Sequence, residues 1–428
     1  MSNLKFFVLF LLFFQINCAN QNAGVQTVDE NDSEQAQVGD AAPAELETSH
    51  EQASIQVGAE RTSEYLQLLA GQKVALVVNQ TSMIGDTHLA DSLLSLGIQI
   101  EKIFAPEHGF RGTADAGEHV KDGIDLRTGL PLLSLHGKTK KPSAADLAGI
   151  DWVVFDIQDV GARFYTYIST MHYVMESCAE NDVKFMVLDR PNPNGNYIDG
   201  PVLDPDFQSF VGMHPVPVIH GMTIAEYARM INGEGWLKGG QQTYLHFVTC
   251  ANYSHSLPYE LPIKPSPNLP NQRSIYLYPS LCFFEGTTVS AGRGTEKQFQ
   301  VYGHPESGVG DYTFTPIARP GAKYPKFKNE ECSGFDLTHL SPGDLHQKQQ
   351  LDLSYFINFY QSFQRSHTGD LPPGKFFLKN NFFDKLAGTD RLRKAILAGQ
   401  TEAEIRASWG KELADYQKVR EKYLLYGE

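Results

Sequence analysis

The sequence predicts an α/β protein with a doubly wound parallel sheet in its first domain and a smaller α+β domain after it. Short runs of β-branched and aromatic residues alternate with segments of helical apolar spacing between residues 73 and 189, which is typical of βαβ units. Several of these runs are apolar throughout, as expected for strands buried on both faces. After about residue 240 the pattern changes to short strand-like runs, proline-rich loops and helical segments.

The elements of the first domain follow from hydrophobic periodicity. Strands are predicted at residues 73–79, 100–105, 152–156 and 185–189, and helices at 88–96 and 165–181. A further helix, which runs through Met230, is predicted to begin at a capping box formed by Thr223 and Glu226.

The second domain is predicted from weaker signals. Its strands are placed at residues 243–249, 312–317 and 334–337, and its helices at 344–363 and from 383 to the C terminus. The domain boundaries expected are 1–18 for a targeting segment, 19–54 for a disordered tether, 55–240 for the Rossmann-like domain and 241–428 for the α+β domain.

The N terminus has the pattern of an export signal. Lys5 precedes an apolar run at residues 6–14 that is too short to span a bilayer as a mature helix. Cys18 follows this run as in a bacterial lipobox, which predicts lipidation; plain signal-peptide cleavage is the alternative. We therefore expect an exported periplasmic or cell-surface lipoprotein of a Gram-negative-type bacterium, bound to the membrane through its lipid only.

Charge and cysteine usage narrow the classes of function. The formal net charge of -14 and the lack of a basic stripe argue against a nucleic-acid partner. Cys178, Cys250, Cys282 and Cys332 are too widely spaced for a disulfide framework or a CxxC metal site, so buried free thiols are expected.

Polar residues follow the ends of four predicted strands. Because the carboxyl ends of parallel strands meet at one edge of a sheet, a ligand crevice is expected there. The candidate binding residues at this edge are Asn79, His108, Asp156, Gln158, Asp159 and Asn192.

Two carboxylates lie eleven residues apart in the glycine-rich segment after the second of these strands. Glu107 is the candidate general acid/base, and Glu118 is the candidate second carboxylate. Paired carboxylates are the machinery that cleaves glycosidic bonds. The alternative is a polar surface loop in which Glu107 pairs with Arg111.

Further candidates lie outside that loop. Arg163 is a candidate to clamp a carboxylate and Tyr165 to stack on a sugar ring, and the alternative for Arg163 is a structural ion pair with a nearby aspartate. His220, Glu285 and Arg293 are candidates for the cleft wall. No GxSxG, HExxH or GxGxxG motif is present, and a metal held by His108, Asp156 and His220 has no diagnostic spacing, so no cofactor or metal is predicted.

Long motifs from about residue 58 to the C terminus resemble the exo-β-N-acetylmuramidase family of NamZ-like glycoside hydrolases. The matching segments are VVNQT at residues 77–81, PEHGFRG at 106–112, FDIQDVGARFYTY at 155–167, LDRPNPNG at 188–195, HGMT at 220–223, PSPNLP at 265–270, FEGT at 284–287 and GRGT at 292–295.

The resemblance implies a Rossmann-like domain, a smaller domain, and a cleft between them. It implies release of non-reducing terminal β-1,4-linked N-acetylmuramic acid from peptidoglycan-derived muropeptides or disaccharides, with Glu107 catalytic and Glu118 as its partner. Asn268 lies in a matching segment and is expected to bind substrate. The lactyl carboxylate needs a cation, for which Arg163, Arg293 and Arg111 are candidates in that order. The alternatives are a lipid-anchored muropeptide-binding protein without turnover and a metal-dependent hydrolase.

Overall fold

The computed structural model describes residues 54–110, 122–137, 139–367, 371–372 and 374–428. The candidates Cys18, Arg111 and Glu118 lie outside these residues. Within them, no helix combines the length and the apolar composition needed to cross a bilayer.

A seven-stranded sheet forms the centre of the first domain, in the order β5-β6-β4-β1-β7-β8-β9. Every neighbouring pair is parallel except β5 with β6. A small hairpin, β2 with β3, follows β1. The strands are β1 Lys73–Val78, β2 Met83–Ile84, β3 Thr87–His88, β4 Gln99–Ala105, β5 Gly123–Ile124, β6 Pro131–Ser134, β7 Trp152–Asp156, β8 Lys184–Leu188 and β9 Leu245–Val248.

The central strand β1 is buried on both faces, as its apolar run predicts. Ala75 and Val77 pack into one hydrophobic cluster, whereas Val74, Leu76 and Val78 pack into a second one. Alternate side chains of a strand point to opposite faces, so each cluster covers one face of the sheet. The predicted doubly wound architecture is confirmed.

Helices flank this sheet and continue into the second domain. The predicted capping box is confirmed, because Thr223 N donates to Glu226 Oε2 across 2.8 Å at the start of α5. The helices are α1 Leu66–Leu69, α2 Leu89–Ser95, α3 Ala144–Leu147, α4 Tyr167–Glu180, α5 Ile224–Gly233, α6 Gln272–Leu281, α7 Pro342–Lys348, α8 Ser354–Ser366, α9 Phe382–Ala387, α10 Arg391–Leu397 and α11 Glu402–Arg420.

The second domain contains an antiparallel three-stranded sheet in the order β10-β12-β11. These strands are β10 Val301–His304, β11 Tyr312–Phe314 and β12 Cys332–Asp336. The helix predicted at residues 344–363 is two helices, because the chain leaves α7 through Gln349 in the left-handed region, with φ 46°.

Strand β9 extends the large sheet past the predicted domain boundary. The sequence assigned residues 243–249 to the second domain, but β9 pairs in parallel with β8, Phe185 opposite Leu245 and Leu188 opposite Val248. Its neighbour Tyr244 also accepts a hydrogen bond at its carbonyl from Phe185 N. A strand this short gives no sequence signal for the sheet that it joins.

The strand order changes direction at β1. The chain moves from β1 to β4 on one side and later returns to β7 on the other. In open α/β sheets a crevice forms at such a switch point, beyond the carboxyl ends of the strands. The segments after β4 and β7 are therefore the ones positioned to line a site.

The four predicted thiols are free and buried, as expected from their spacing.

Candidate active site

A cavity of ≈ 230 Å³ lies where segments after β4 and β7 meet the second domain. Six of the predicted site residues line it: Glu107, His108, Tyr165, Asn268, Glu285 and Arg293. The first domain contributes the segment after β4, the stretch at residues 164–167 and Val211. The second contributes the loop before α6, α6 with the residues that follow it, and α9.

A sharp turn carries Glu107 into the cavity. His108 and Gly109 both adopt left-handed backbone angles, with φ of 71° and 76°, and Gly109 N donates to Pro106 O across 3.0 Å. Positive φ costs energy for a residue with a Cβ, so His108 is held there by its surroundings. Its Nε2 lies 3.2 Å from Ser266 Oγ, within hydrogen-bond distance.

The carboxylate of Glu107 is oriented by the helix that follows β7. Thr166, at the N-cap position of α4, donates from Oγ1 to Glu107 Oε2 across 2.8 Å. This hydrogen bond ties a side chain after β4 to a helix after β7, on opposite sides of the switch point. The carboxylate is thus held in one orientation against the cavity.

Aromatic rings form much of the cavity wall. Phe164 and Tyr165 pack edge-to-face on Tyr278, with ring centroids 5.4 and 5.9 Å apart, and Tyr278 packs in the same way on Phe299 at 4.9 Å. The Tyr165 hydroxyl donates to Pro265 O across 2.8 Å, and burial raises the pKa of this phenol well above its usual value. The wall is therefore uncharged on this side, and it offers ring faces and edges to a sugar.

Asn268 lines the cavity and its side-chain amide is only partly hydrogen-bonded. Its side chain is 1% exposed and Nδ2 donates to Gly321 O across 2.7 Å. Oδ1 is buried and has no hydrogen-bond partner among the described residues. An unpaired buried acceptor costs stability, and this one is enclosed by protein atoms rather than exposed to the cavity.

An ion pair occupies the part of the wall contributed by the second domain. Arg293 Nε donates to Glu285 Oε1 across 3.1 Å. Burial would raise the pKa of the Glu285 carboxyl, but the charges of Arg293 and Lys326 outweigh it and hold that pKa below its usual value. Glu285 is therefore an ionised group in the neutral pH range.

Four strand-end candidates lie in the framework beneath the cavity. Asp156 is fully buried and receives two hydrogen bonds from Arg190, at 2.5 and 2.9 Å. The other three are engaged with nearby groups: Asn79 Oδ1 accepts from Thr81, Gln158 Nε2 donates to Pro191 O, and Asn192 Nδ2 donates to Met222 O. These atoms hold the strand ends together, and none of the four residues lines this cavity.

Arg163 also has a structural position. Its side chain is fully buried, and its Nη atoms donate to the carbonyls of Pro201, Val216 and Leu386 across 2.7 to 3.0 Å. This placement corrects the prediction that Arg163 clamps a substrate carboxylate, since its guanidinium joins the first domain to α9.

Asp159 and His220 form a buried pair behind the site. Asp159 Oδ2 accepts from Gly161 N across 2.7 Å and lies 3.8 Å from His220 Nε2, which is beyond hydrogen-bond distance. Burial lowers the pKa of His220 to about 3, so the imidazole is neutral. Both residues support the segment that leads to Tyr165, and neither lines the cavity.

The three residues considered for a metal site have separate surroundings: His108 contacts Ser266, Asp156 binds Arg190, and His220 lies beside Asp159. Within the described ranges, no group of three or more His, Cys, Asp or Glu side chains is arranged to hold a metal ion.

Thr166, Ser266, Tyr278 and Phe299 are among the lining residues that the sequence did not single out. Thr166 and Ser266 lie in the sequence motifs that contain the candidates Tyr165 and Asn268. Their place in those motifs is the sequence signal that could have identified them as site residues. Tyr278 and Phe299 lie in apolar stretches that are indistinguishable in sequence from ordinary core.

Comparison with known proteins assigns the chain to a family. The model of the exo-β-N-acetylmuramidase NamZ N-terminal domain matches residues 74–273, and that of the C-terminal domain matches residues 276–426. The peptidoglycan β-N-acetylmuramidase NamZ of Bacillus subtilis strain 168 is 38% identical over 384 residues, which cover 85% of this chain and 89% of that protein.

Two crystal structures of DUF1343 family proteins from Bacteroides fragilis NCTC 9343 have the same fold. One has a TM-score of 0.80 at 45% identity and covers 88% of this chain and 100% of that chain. The other has a TM-score of 0.74 at 28% identity and covers 87% of this chain and 99% of that chain. The chain belongs to the exo-β-N-acetylmuramidase NamZ family.

Proposed function

We propose that the protein is an exo-acting glycoside hydrolase that releases non-reducing terminal β-1,4-linked N-acetylmuramic acid from peptidoglycan fragments, in cell-wall turnover or recycling. The family membership and the Bacillus relative support the reaction class. The observation that carries the proposal is the carboxylate of Glu107, held by Thr166 on an aromatic-walled cavity.

Glu107 acts as the general acid/base. Cleavage of a glycosidic bond needs a proton for the leaving oxygen, delivered by a carboxyl group within hydrogen-bond distance of it. One oxygen of Glu107 accepts a hydrogen bond from Thr166, which restrains the orientation of the carboxyl group. Glu118 is the proposed second carboxylate; it lies outside the described residues, so this role rests on its place in the glycine-rich segment.

The size of the cavity supports exo-action. At ≈ 230 Å³ it is smaller than the roughly 300–1,000 Å³ typical of sites for drug-sized ligands. A cavity of this volume suits a single terminal ring rather than the interior of a glycan strand. Tyr165 and Tyr278 supply ring surfaces for that sugar, and Asn268 also lines the cavity.

The test is release of 4-nitrophenol from 4-nitrophenyl β-N-acetylmuramide, with the N-acetylglucosamine analogue as the comparison substrate. The wild type is expected to hydrolyse the muramide, and Glu107→Gln is expected to lose activity by a factor of about 10² or more, because it removes the proton donor. Glu101→Gln is the matched control, since Glu101 lies earlier on β4 and does not line the cavity.

The outcomes separate an enzyme from a capture protein. Full activity in Glu107→Gln would contradict the assignment of the acid/base. If the wild type bound muropeptides without turnover, the protein would be a binding protein with the same ligand.

Export and lipidation at Cys18 are part of the proposal. The support is the apolar run at residues 6–14 followed by Cys18. We expect labelled palmitate to be incorporated in the producing bacterium and to be lost in Cys18→Ser, with the protein then recovered outside the membrane fraction. Palmitate labelling that persists in Cys18→Ser would overturn the lipobox assignment.

A further inference from the structure

The wall of the cavity contributed by the second domain contains an arginine with unused donors. Arg293 lines the cavity, and its side chain is 24% exposed. Nε donates to Glu285 Oε1, and the guanidinium carbon lies 5.0 Å from the ring centroid of Phe299. The ion pair and the ring contact together restrict the orientation of the guanidinium plane.

The Nη atoms of Arg293 have no hydrogen-bond partner among the described residues. A guanidinium carries five N–H donors, and the contact with Glu285 uses the one on Nε. Two parallel N–H groups on a fixed plane match the geometry of a carboxylate, which accepts them bidentately. The free edge of Arg293 is therefore suited to a second carboxylate in addition to that of Glu285.

The local charge also favours an anion. Lys326 Nζ donates to the carbonyls of Phe284, Thr287 and Val289 across 2.9, 2.7 and 3.1 Å, so dipoles rather than a carboxylate solvate its ammonium. Burial lowers the pKa of Lys326 and the charge of Glu285 raises it in part; when Lys326 is protonated, this group carries one positive charge in excess. Such a group stabilises an added carboxylate and is poorly suited to stabilise an oxocarbenium-like sugar.

The chemistry of the proposed substrate provides that carboxylate. N-acetylmuramic acid differs from N-acetylglucosamine by a lactyl ether that ends in a carboxylate. We infer that Arg293 recognises the lactyl carboxylate and thereby selects muramic acid, with Glu285 as the positioning residue that orients the guanidinium. The inference rests on the proposed function, and it places Glu285 outside the acid/base chemistry.

The first experiment compares 4-nitrophenyl β-N-acetylmuramide with its lactyl methyl ester, a neutral substrate of almost the same shape. The wild type is expected to prefer the acid in kcat/KM by about 10- to 150-fold, the range for hydrogen bonds to a charged group. Arg293→Met is expected to lose this preference and to hydrolyse acid and ester alike, and Arg293→Lys is expected to recover part of it.

The matched control is Arg319→Met. Arg319 forms an ion pair with Glu296 across 3.2 Å in the same domain and does not line the cavity. This variant is expected to keep the wild-type preference for the acid. A full preference for the acid in folded Arg293→Met would overturn the inference, as would an equal loss of kcat/KM on both substrates.

Glu285→Gln distinguishes positioning from catalysis. A weaker, neutral contact to Nε is expected to raise KM for the muramide by about three- to tenfold while kcat is unchanged. A collapse of kcat on both the acid and the ester would instead make Glu285 a catalytic carboxylate and overturn its assignment as a positioning residue.

A binding measurement separates this inference from the proposed function. Calorimetric titration with N-acetylmuramic acid and its methyl ester needs no turnover. If the wild type hydrolysed neither substrate but bound the acid better through Arg293, the glycosidase proposal would fail and the recognition site would stand. Equal binding of acid and ester by the wild type would overturn the recognition site.

Discussion

Thr166 Oγ1 donates to Glu107 Oε2 across 2.8 Å, and so connects the segment after β4 with the N terminus of α4. The two residues are 59 positions apart in sequence and lie on the two sides of the strand-order switch. The fold thus uses the crevice at the switch point to orient its proposed acid/base. The contribution of the Thr166 hydroxyl to the orientation of this carboxylate can be measured.

Replacing the Thr166 hydroxyl is expected to lower activity without unfolding the protein. Thr166→Val keeps the shape but leaves Glu107 Oε2 without this donor, so kcat/KM for the muramide should fall by about tenfold or more. Thr166→Ser should keep most of the activity.

Thr170→Val is the control for that series, because Thr170 lies one helical turn further along α4 and its Oγ1 donates to Thr166 O across 3.4 Å. The test is steady-state kinetics on the wild type, Thr166→Val, Thr166→Ser and Thr170→Val. Unchanged kcat/KM in Thr166→Val would show that Glu107 does not depend on this hydroxyl.

Asp159 should make the fold less stable as pH rises. Burial raises the pKa of its carboxyl to about 7, although the N–H groups of Gly161 and Val160 lower it in part. In the unfolded chain this carboxyl ionises near pH 4, so between about pH 4 and 7 the native state binds more protons than the unfolded state. Stability from this group is present at low pH and is lost as pH rises through 7, by roughly 2–3 kcal/mol between pH 5 and pH 8.

Urea unfolding at pH 5 and pH 8 tests this contribution. Asp159→Asn cannot ionise, so its free energy of unfolding should fall less over the same interval than that of the wild type. Asp189, whose pKa is also raised to about 7 by burial, should act in the same direction and remains intact in the variant. An identical pH dependence in Asp159→Asn and the wild type would contradict the raised pKa.

Arg163 should matter for stability and not for substrate selectivity. Three carbonyls lose a donor in Arg163→Met, and of these Val216 O keeps its bond from Leu203 N, so we expect the free energy of unfolding to fall by about 2–3 kcal/mol. The folded fraction should keep its preference for the muramide acid over the ester. Loss of that preference at wild-type stability would return Arg163 to the role of carboxylate clamp.

The sequence predicted the sheet better than it predicted the site, for a physical reason. Strand β1 is buried on both faces, and the residues that satisfy this requirement are adjacent in sequence. A charged residue at a strand end gives no such local information. Asp156 is neutralised by Arg190, 34 residues away, and Arg163 binds the carbonyl of Leu386, 223 residues away. Whether such a group faces a ligand or a distant partner is decided only by tertiary structure.

The same lack of local sequence information explains why a helix end and the role of a lysine were not predicted. Residues 344–363 have continuous helical spacing, but the left-handed Gln349 ends α7 and the chain starts again at Ser354. Arg293 was recognisable as a candidate from its glycine-flanked motif, whereas Lys326 was not, because its role is to bind carbonyls of a segment about 40 residues earlier.

Gly286 should be intolerant of a side chain because of its contact with α9. A Cβ at this position would lie 2.4 Å from Cα and 2.6 Å from N of Phe383, which is backbone that cannot rotate away. Gly286→Ala must therefore displace α9, which contributes Phe382 and Leu386 to the cavity wall. Overpacking of this kind costs about 1–3 kcal/mol, and we expect kcat/KM for the muramide to fall as well.

Gly410→Ala is the matched substitution, since a Cβ at Gly410 in α11 meets nothing within 4 Å. It should raise the free energy of unfolding by about 0.5–1 kcal/mol and leave activity unchanged, because alanine is the better helix residue. Urea unfolding and muramide kinetics on the two variants test the contrast. Equal stability and activity in Gly286→Ala and Gly410→Ala would mean that α9 is free to shift without moving the cavity wall, which its close contact with Gly286 argues against.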